Sequence, residues 1–555
     1  MAADSDQLYP RVTISVLPDD VLLETFTYVA RPQAKTYFNV EGPRHYEDRW
    51  RTLVHVCKRW RSVVFSSPRR LDLRLFCTNK RPVKKLLDIW PALPIYIYAY
   101  QHAQPLPLRG VTNILAALKQ HNRVCGIRID GVPNSLLKRS VAMKSFPALT
   151  DLILSSNDER APVLPNSFLG GSAPRLRSLS LTGIPFPGLG KLLLSTTNLV
   201  RLSLSKIPHS GYISPEVFVA SLSTLTRLEV LDLRFRSPRS RAVRENRHPL
   251  SLTRVVRPTL TRLQFRGDSE YLEDIVSRID TPLLDNMNII FFNQLVFNTP
   301  QLRRLISHTE KFMAPDCASI QFDDDDISIT LFDRLCLRIS CKPSDWQLSS
   351  LVRLYNAALS PLPMLETLVI RNHRKYWQDD TENIQWLELL YLFTSVKDLA
   401  LFGDLFRLAA PALDGLAQES VTEVLPALQN IVLEGTQSSE TARKTIRNFI
   451  SARQLLGCPV TVHHRELKIS ENQNLSQVTR SKLSLVIGES AKDSSSLHRW
   501  VLLKNSITRS QPHDTVPCST NNTSAFVPTF PSDAGDKDEE VCFDVEHDSF
   551  IYPVY

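Results

Sequence analysis

Residue types suited to metal binding or redox chemistry are plentiful in this chain, but their spacing does not assemble them. Nine cysteines stand at 57, 77, 125, 317, 336, 341, 458, 518 and 542. None forms a C-x-x-C pair, and Cys336 and Cys341 lack a nearby second pair with histidine to complete a tetrahedral zinc set. Free thiols in a reducing compartment are expected. Asp323 to Asp326 form an acidic run. Calcium needs alternating oxygen ligands and a turn glycine, so a solvated loop is expected there. His463-His464 reads as a polar cap at the end of the patterned region. Phosphate loops, dinucleotide fingerprints, nucleophile elbows and H-E-x-x-H helices do not occur. The sequence therefore predicts no catalytic site, no metal and no cofactor.

The elements that fill the chain must then serve another purpose. At 555 residues, 43% apolar and 22% charged, the sequence is globular but too long for one ordinary core. Several domains or a repeat array are expected. Lysine and arginine number 66 against 57 acidic residues, a net charge of +9. Arg234, Arg236, Arg239, Arg241, Arg244 and Arg247 cluster in RFRSPRSRAVRENR. Such a run suits phosphates or an acidic partner. Its serines and proline, and its place between two repeats, predict a solvated insertion, with nucleic-acid binding as the alternative. No secretory signal opens the sequence and no apolar run is long enough to span a bilayer. The cytosol or nucleus is expected.

From about residue 90 to 463 one pattern returns: apolar, two positions, apolar, one position, apolar. It reads Val124-Ile127-Ile129, Leu149-Leu152-Leu154, Leu176-Leu179-Leu181, Leu199-Leu202-Leu204, Leu228-Leu231-Leu233 and Leu260-Leu263-Phe265. It continues as Phe332-Leu335-Leu337, Leu365-Leu368-Ile370, Val396-Leu399-Leu401 and Leu428-Ile431-Leu433, with weaker copies at Leu284-Met287-Ile289 and Leu302-Leu305. From Ile127 the central residues step by 25, 27, 23, 29 and 32. The last two apolar positions alternate as in a strand. Helical stripes lie between, at Val217-Phe218-Leu222, Leu272-Ile275-Val276 and Leu348-Leu351-Tyr355. A short strand followed by a helix every 25–32 residues is the leucine-rich-repeat unit. A single unit buries too little to order its own backbone, so the units must stack.

Two helical stripes precede the repeats. Leu17-Pro18-Asp19-Asp20 opens the first, with proline in a first turn and two aspartates at the positive dipole end. Val21, Leu22, Phe26 and Val29 continue it. Trp50, Leu53, Cys57, Trp60 and Val64, at steps of 3, 4, 3 and 4, predict one continuous second helix. Two short helices with stripes this wide carry more apolar surface than they can bury together.

The stretches LPDDVLLETF at 17–26 and LVHVCKRWRSVV at 53–64 resemble the F-box. The following SPRRLDL and WPALPIYIY resemble fungal F-box proteins with leucine-rich repeats, of the kind found in mushroom-type fungi. The motif covers about 50 residues and the looser repeat likeness most of the remainder. The resemblance implies a substrate-recognition adaptor of an SCF-type ubiquitin ligase. The F-box would dock a Skp-type adaptor and, through it, a cullin, while the repeats hold a protein substrate. It implies that Leu17 and Pro18 enter the adaptor groove. Val21, Leu22, Phe26, Trp50, Leu53, Val56, Cys57 and Trp60 would fill the apolar F-box positions. The loop at 31–48 is longer than the family's usual link. The alternative to the ligase is a repeat scaffold whose helices cap the array.

The expected organisation is α/β: a polar leader at 1–13, an all-helical module at 14–75, an irregular repeat solenoid at 76–464 and a largely disordered tail at 465–555. That tail carries eight acidic residues and one lysine between 533 and 548.

Overall fold

The structure is a computed structural model of the chain. It describes residues 16–30, 49–66, 73–77, 82–89, 92–99, 108–137, 145–238, 255–256, 259–294, 296–312, 315–341, 347–359, 362–373, 383–402, 405, 423–434 and 440–465. All lie in the first of the chain's two units, Met1–Lys468. The leader, the 31–48 loop, Arg239 to Arg247 and the tail beyond Arg465 fall outside the described residues.

The fold is α/β. Among the described residues, thirteen α-helices accompany a 16-stranded sheet. Eleven of its strands carry the repeated apolar triplets: β3 (Val124–Ile129), β4 (Asp151–Ser155), β5 (Ser178–Thr182), β6 (Arg201–Ile207), β7 (Val230–Phe235), β9 (Arg262–Gly267), β11 (Asn286–Phe292), β14 (Leu335–Ser340), β15 (Thr367–Asn372), β16 (Asp398–Phe402) and β17 (Asn430–Glu434). Each of these pairs in parallel with the next carrier along the chain, except β14 with β15. The triplets lie in register. Ile127 sits opposite Leu152, Leu152 opposite Leu179, and the column runs through Leu202, Leu231 and Leu263 to Met287. These side chains are at most 2% exposed.

In β4, β5, β6 and β7 the first apolar residue of the triplet precedes the strand. Leu149, Leu176, Leu199 and Leu228 donate their amides to carbonyls three residues back, at Phe146, Ala173, Thr196 and Leu225. That turn brings the chain into the strand and tucks the leucine under it. One carbonyl then accepts two amides from the following strand: Thr150 from Arg177 and Ser178, Arg177 from Val200 and Arg201, and so on to Lys397 with Gln429 and Asn430.

Helices join the strands and bury their apolar faces in the same continuous core as the strand leucines. In α8 (Pro215–Leu222) the helix starts at Pro215, and the Ser214 side chain accepts the Val217 amide at 3.4 Å. Phe218, Val219 and Leu222 are buried. The same holds for Leu272, Ile275 and Val276 of α9 (Ser269–Val276), and for Leu348, Leu351 and Tyr355 of α11 (Gln347–Ala358).

Several expectations are corrected. Leu302 and Leu305 lie in α10 (Pro300–His308), not in a strand. Three strands at the sheet margins join the array without the triplet: β1 (Leu73–Phe76), β2 (Ile95–Ala99) and β18 (Thr461–Arg465). His463-His464 lies inside β18, the terminal strand of the sheet. The parallel order is interrupted once. β12 (Cys317–Phe322), β13 (Asp326–Leu331) and β14 (Leu335–Ser340) form an antiparallel meander, with β14 against β11 and β12 against β15. The aspartate run is the tight turn of its first hairpin, where the Asp323 amide donates to the Asp326 carbonyl at 2.8 Å.

Candidate docking site

The helical head is built from three helices rather than two. These are α1 (Asp19–Ala30), α2 (Arg49–Val54) and α3 (Lys58–Ser66). The stripe from Trp50 to Val64 is continuous in sequence, but the chain turns at His55-Val56-Cys57. His55 and Val56 donate to carbonyls three residues back, and the Cys57 sulfur accepts the Trp60 amide at 3.4 Å, so Cys57 caps α3. A thiol is a small, weak acceptor, but here it ends one helix and begins another.

That break sorts the predicted site residues. Leu22, Phe26 and Leu53 point inward, at 0%, 2% and 8% exposure, and pack with Val54, Val63 and Val64. The Phe26 and Trp60 rings meet at 4.7 Å, with Trp60 half-buried. Leu17 is half-buried at the entrance of α1. Pro18 and Cys57 are exposed, and Val21 and Val56 are open at 43% and 58%. Of Trp50, only its place in α2 is described. The nine described positions thus divide into an internal set, the half-buried Leu17 and Trp60, and an outward set that is exposed among the described residues.

The open face of the sheet is the second surface, and the resemblance did not specify its residues. Strand alternation sends one set of side chains to the core and the other to the opposite face. On β1 and β2, Phe76 and Tyr98 are register partners, with rings stacked at 5.4 Å. Tyr96 lies across Gly126: a Cβ there would come within 2.3 Å of the ring. Farther along, one register row runs Arg234, Arg266, Ile290, Arg338, Ser328, Gln321 and Arg371 over seven adjacent strands.

This row is held by its neighbours. Arg234 donates to Asp232 at 2.7 Å and to Gln264. Arg338 donates to Asp326 at 3.1 Å. Arg371 donates to Ser319 at 2.8 Å and lies over the Phe402 ring at 5.1 Å. Arg266 lies over Phe292 at 5.6 Å. Burial raises the carboxyl pKa values of Asp232 and Asp326, against the pull of Arg234 and Arg338. Of the arginine run predicted from sequence, Arg234 belongs to this row and Arg236 pairs with Glu159.

Among the described residues no group of three or more histidine, cysteine or acidic side chains is placed to hold a metal ion. No helix there is long and apolar enough to cross a membrane. The seven described cysteines are free thiols. Burial pushes Cys77 up to about 12 and Cys317 up to about 11, so neither is an activated nucleophile. No protein-family model matches the chain, and no curated protein matches its sequence.

Proposed function

We propose that this chain is an F-box-type adaptor of a cullin–RING ubiquitin ligase, with its helical head docking a Skp-type adaptor and its leucine-rich-repeat sheet holding a protein substrate. The observation that carries this reading is the sorting of the head. Leu22, Phe26 and Leu53 build its interior, while Pro18, Val21, Val56 and Cys57 remain outward. Exposed apolar side chains gathered on a small helical head are what a protein interface requires. On this reading the chain has no catalytic role of its own; it places a substrate beside an enzyme. Co-purification with a Skp-type adaptor tests it. Binding by the wild-type chain, lost on changing Leu17 to Ala and Pro18 to Asp, is expected. A folded wild-type chain that ignores the adaptor removes the ligase reading.

One observation favours a second reading, a repeat scaffold without a ligase. The interior residues of the head belong to the same continuous apolar core as the first strands, as a terminal cap would. The two readings separate on the outward set. A cap tolerates Val21→Asp and Val56→Asp, whereas a docking head does not.

A further inference from the structure

We propose that the arginine row on the open sheet face binds an extended acidic segment of a partner protein. This takes up the part of the adaptor reading in which the sheet holds a substrate, and its test leaves the helical head untouched.

Arg234, Arg266, Arg338 and Arg371 occupy equivalent register positions, each directly after an inward apolar residue: Leu233, Phe265, Leu337 and Ile370. Strands lie about 4.8 Å apart, so Arg266 to Arg338 spans about 10 Å and Arg338 to Arg371 about 14 Å. An extended peptide rises about 3.3 Å per residue. Acidic side chains three to four residues apart therefore match the guanidinium spacing when the peptide crosses the strands.

The arginines are preorganised. Arg266 and Arg371 rest on the Phe292 and Phe402 rings, which supports the planar groups. Arg338 keeps 32% of its side-chain surface and Arg234 38%.

Charge selects a peptide over a nucleic acid. Asp232 and Asp326 stand among the four arginines. A phosphate backbone carries closely spaced charges and would meet those carboxylates. A peptide can place its charges between them.

The experiment uses the full chain and a fluorescein-labelled peptide of about twelve residues, long enough for the row, with Glu at every third position and Ser between. Saturable binding by anisotropy is expected, absent for the Gln-for-Glu peptide. The Arg266→Gln/Arg338→Gln/Arg371→Gln variant should weaken it about tenfold or more. If that variant fails to fold, Arg371→Gln alone is read instead, with about a threefold loss expected. No saturable binding, or binding unmoved by the arginine changes, overturns the proposal. So does an oligonucleotide of equal length that binds more tightly through the same arginines.

Discussion

Arg59 and Asp19, 40 residues apart in the chain, meet through Nε and Nη2 of the guanidinium on one carboxylate oxygen, at 3.0 and 2.8 Å. The same Nη2 donates to the Leu17 carbonyl at 2.6 Å. One side chain of α3 thereby fixes the entrance of α1, where Pro18 and Val21 are displayed. An exposed ion pair contributes about 0.2–1 kcal/mol and a hydrogen bond about 1 kcal/mol. Arg59→Ala should therefore loosen the head by about 1–2 kcal/mol. The measurement is amide exchange at Leu22 to Phe26, expected to speed up roughly tenfold while amides of β5 and β6 do not change.

Tyr96 and Gly126 make a sharper case. Gly126→Ala forces a methyl group into the Tyr96 ring and should cost about 1–3 kcal/mol. Tyr96→Ala removes the obstacle. The double variant should be less destabilised than the sum of the two singles by urea unfolding. Strict additivity would contradict the contact.

Arg453 of α13 (Glu440–Leu455) is 0% exposed. Its guanidinium donates to the carbonyls of Val424 and Leu425 at 3.3 Å and Pro426 at 3.2 Å, on the approach to β17. Arg453→Met keeps the apolar stem but strands those carbonyls. A loss of about 2–4 kcal/mol is expected in the urea midpoint. A midpoint within experimental error of wild type would show that this cluster does not hold the last strands.

Much of the sheet was legible because burial imposes its pattern on the sequence. Strand spacing and register followed from triplets whose last two residues must face the core. Where the turn residue is replaced, the strands passed unseen. Pro94, Pro315 and Pro459 stand three positions before the inward residues Ile97, Ala318 and Val462, where the triplets carry an apolar side chain. The break at Cys57 was illegible for a different reason. Helical spacing persists across it, and the division shows only in the tightened turns at His55 and Val56 and in the Cys57 sulfur accepting the Trp60 amide. The arginine row was present in the sequence as the residue after the last apolar position of the triplet. It became apparent only once the sheet register placed Arg338 in the same row as the other arginines.

Glu216 and Arg278 predict an acid response. Burial opposes ionisation of Glu216, but its own backbone hydrogen bond, Ser214 and Arg278 outweigh it and hold the carboxyl below its ordinary value. Folding therefore favours the ionised form. The stabilisation is complete above the unfolded value near about 4.3 and disappears as pH falls through the lower folded value. Glu216→Gln should be less stable than wild type at pH 7, and the gap should close on acidification. A gap independent of pH would rule out the charge as its source.

The outward residues of the head, Val21 and Val56 foremost, form the proposed docking surface. Size-exclusion chromatography of the full chain mixed with a purified Skp-type adaptor tests it most directly, using wild type and Val21→Asp/Val56→Asp. Both positions are open to solvent, so the double variant should keep the wild-type melting profile. A stable complex with wild type and separate elution for the variant are expected. A folded wild-type chain that elutes alone, or a variant that binds as wild type does, would contradict it.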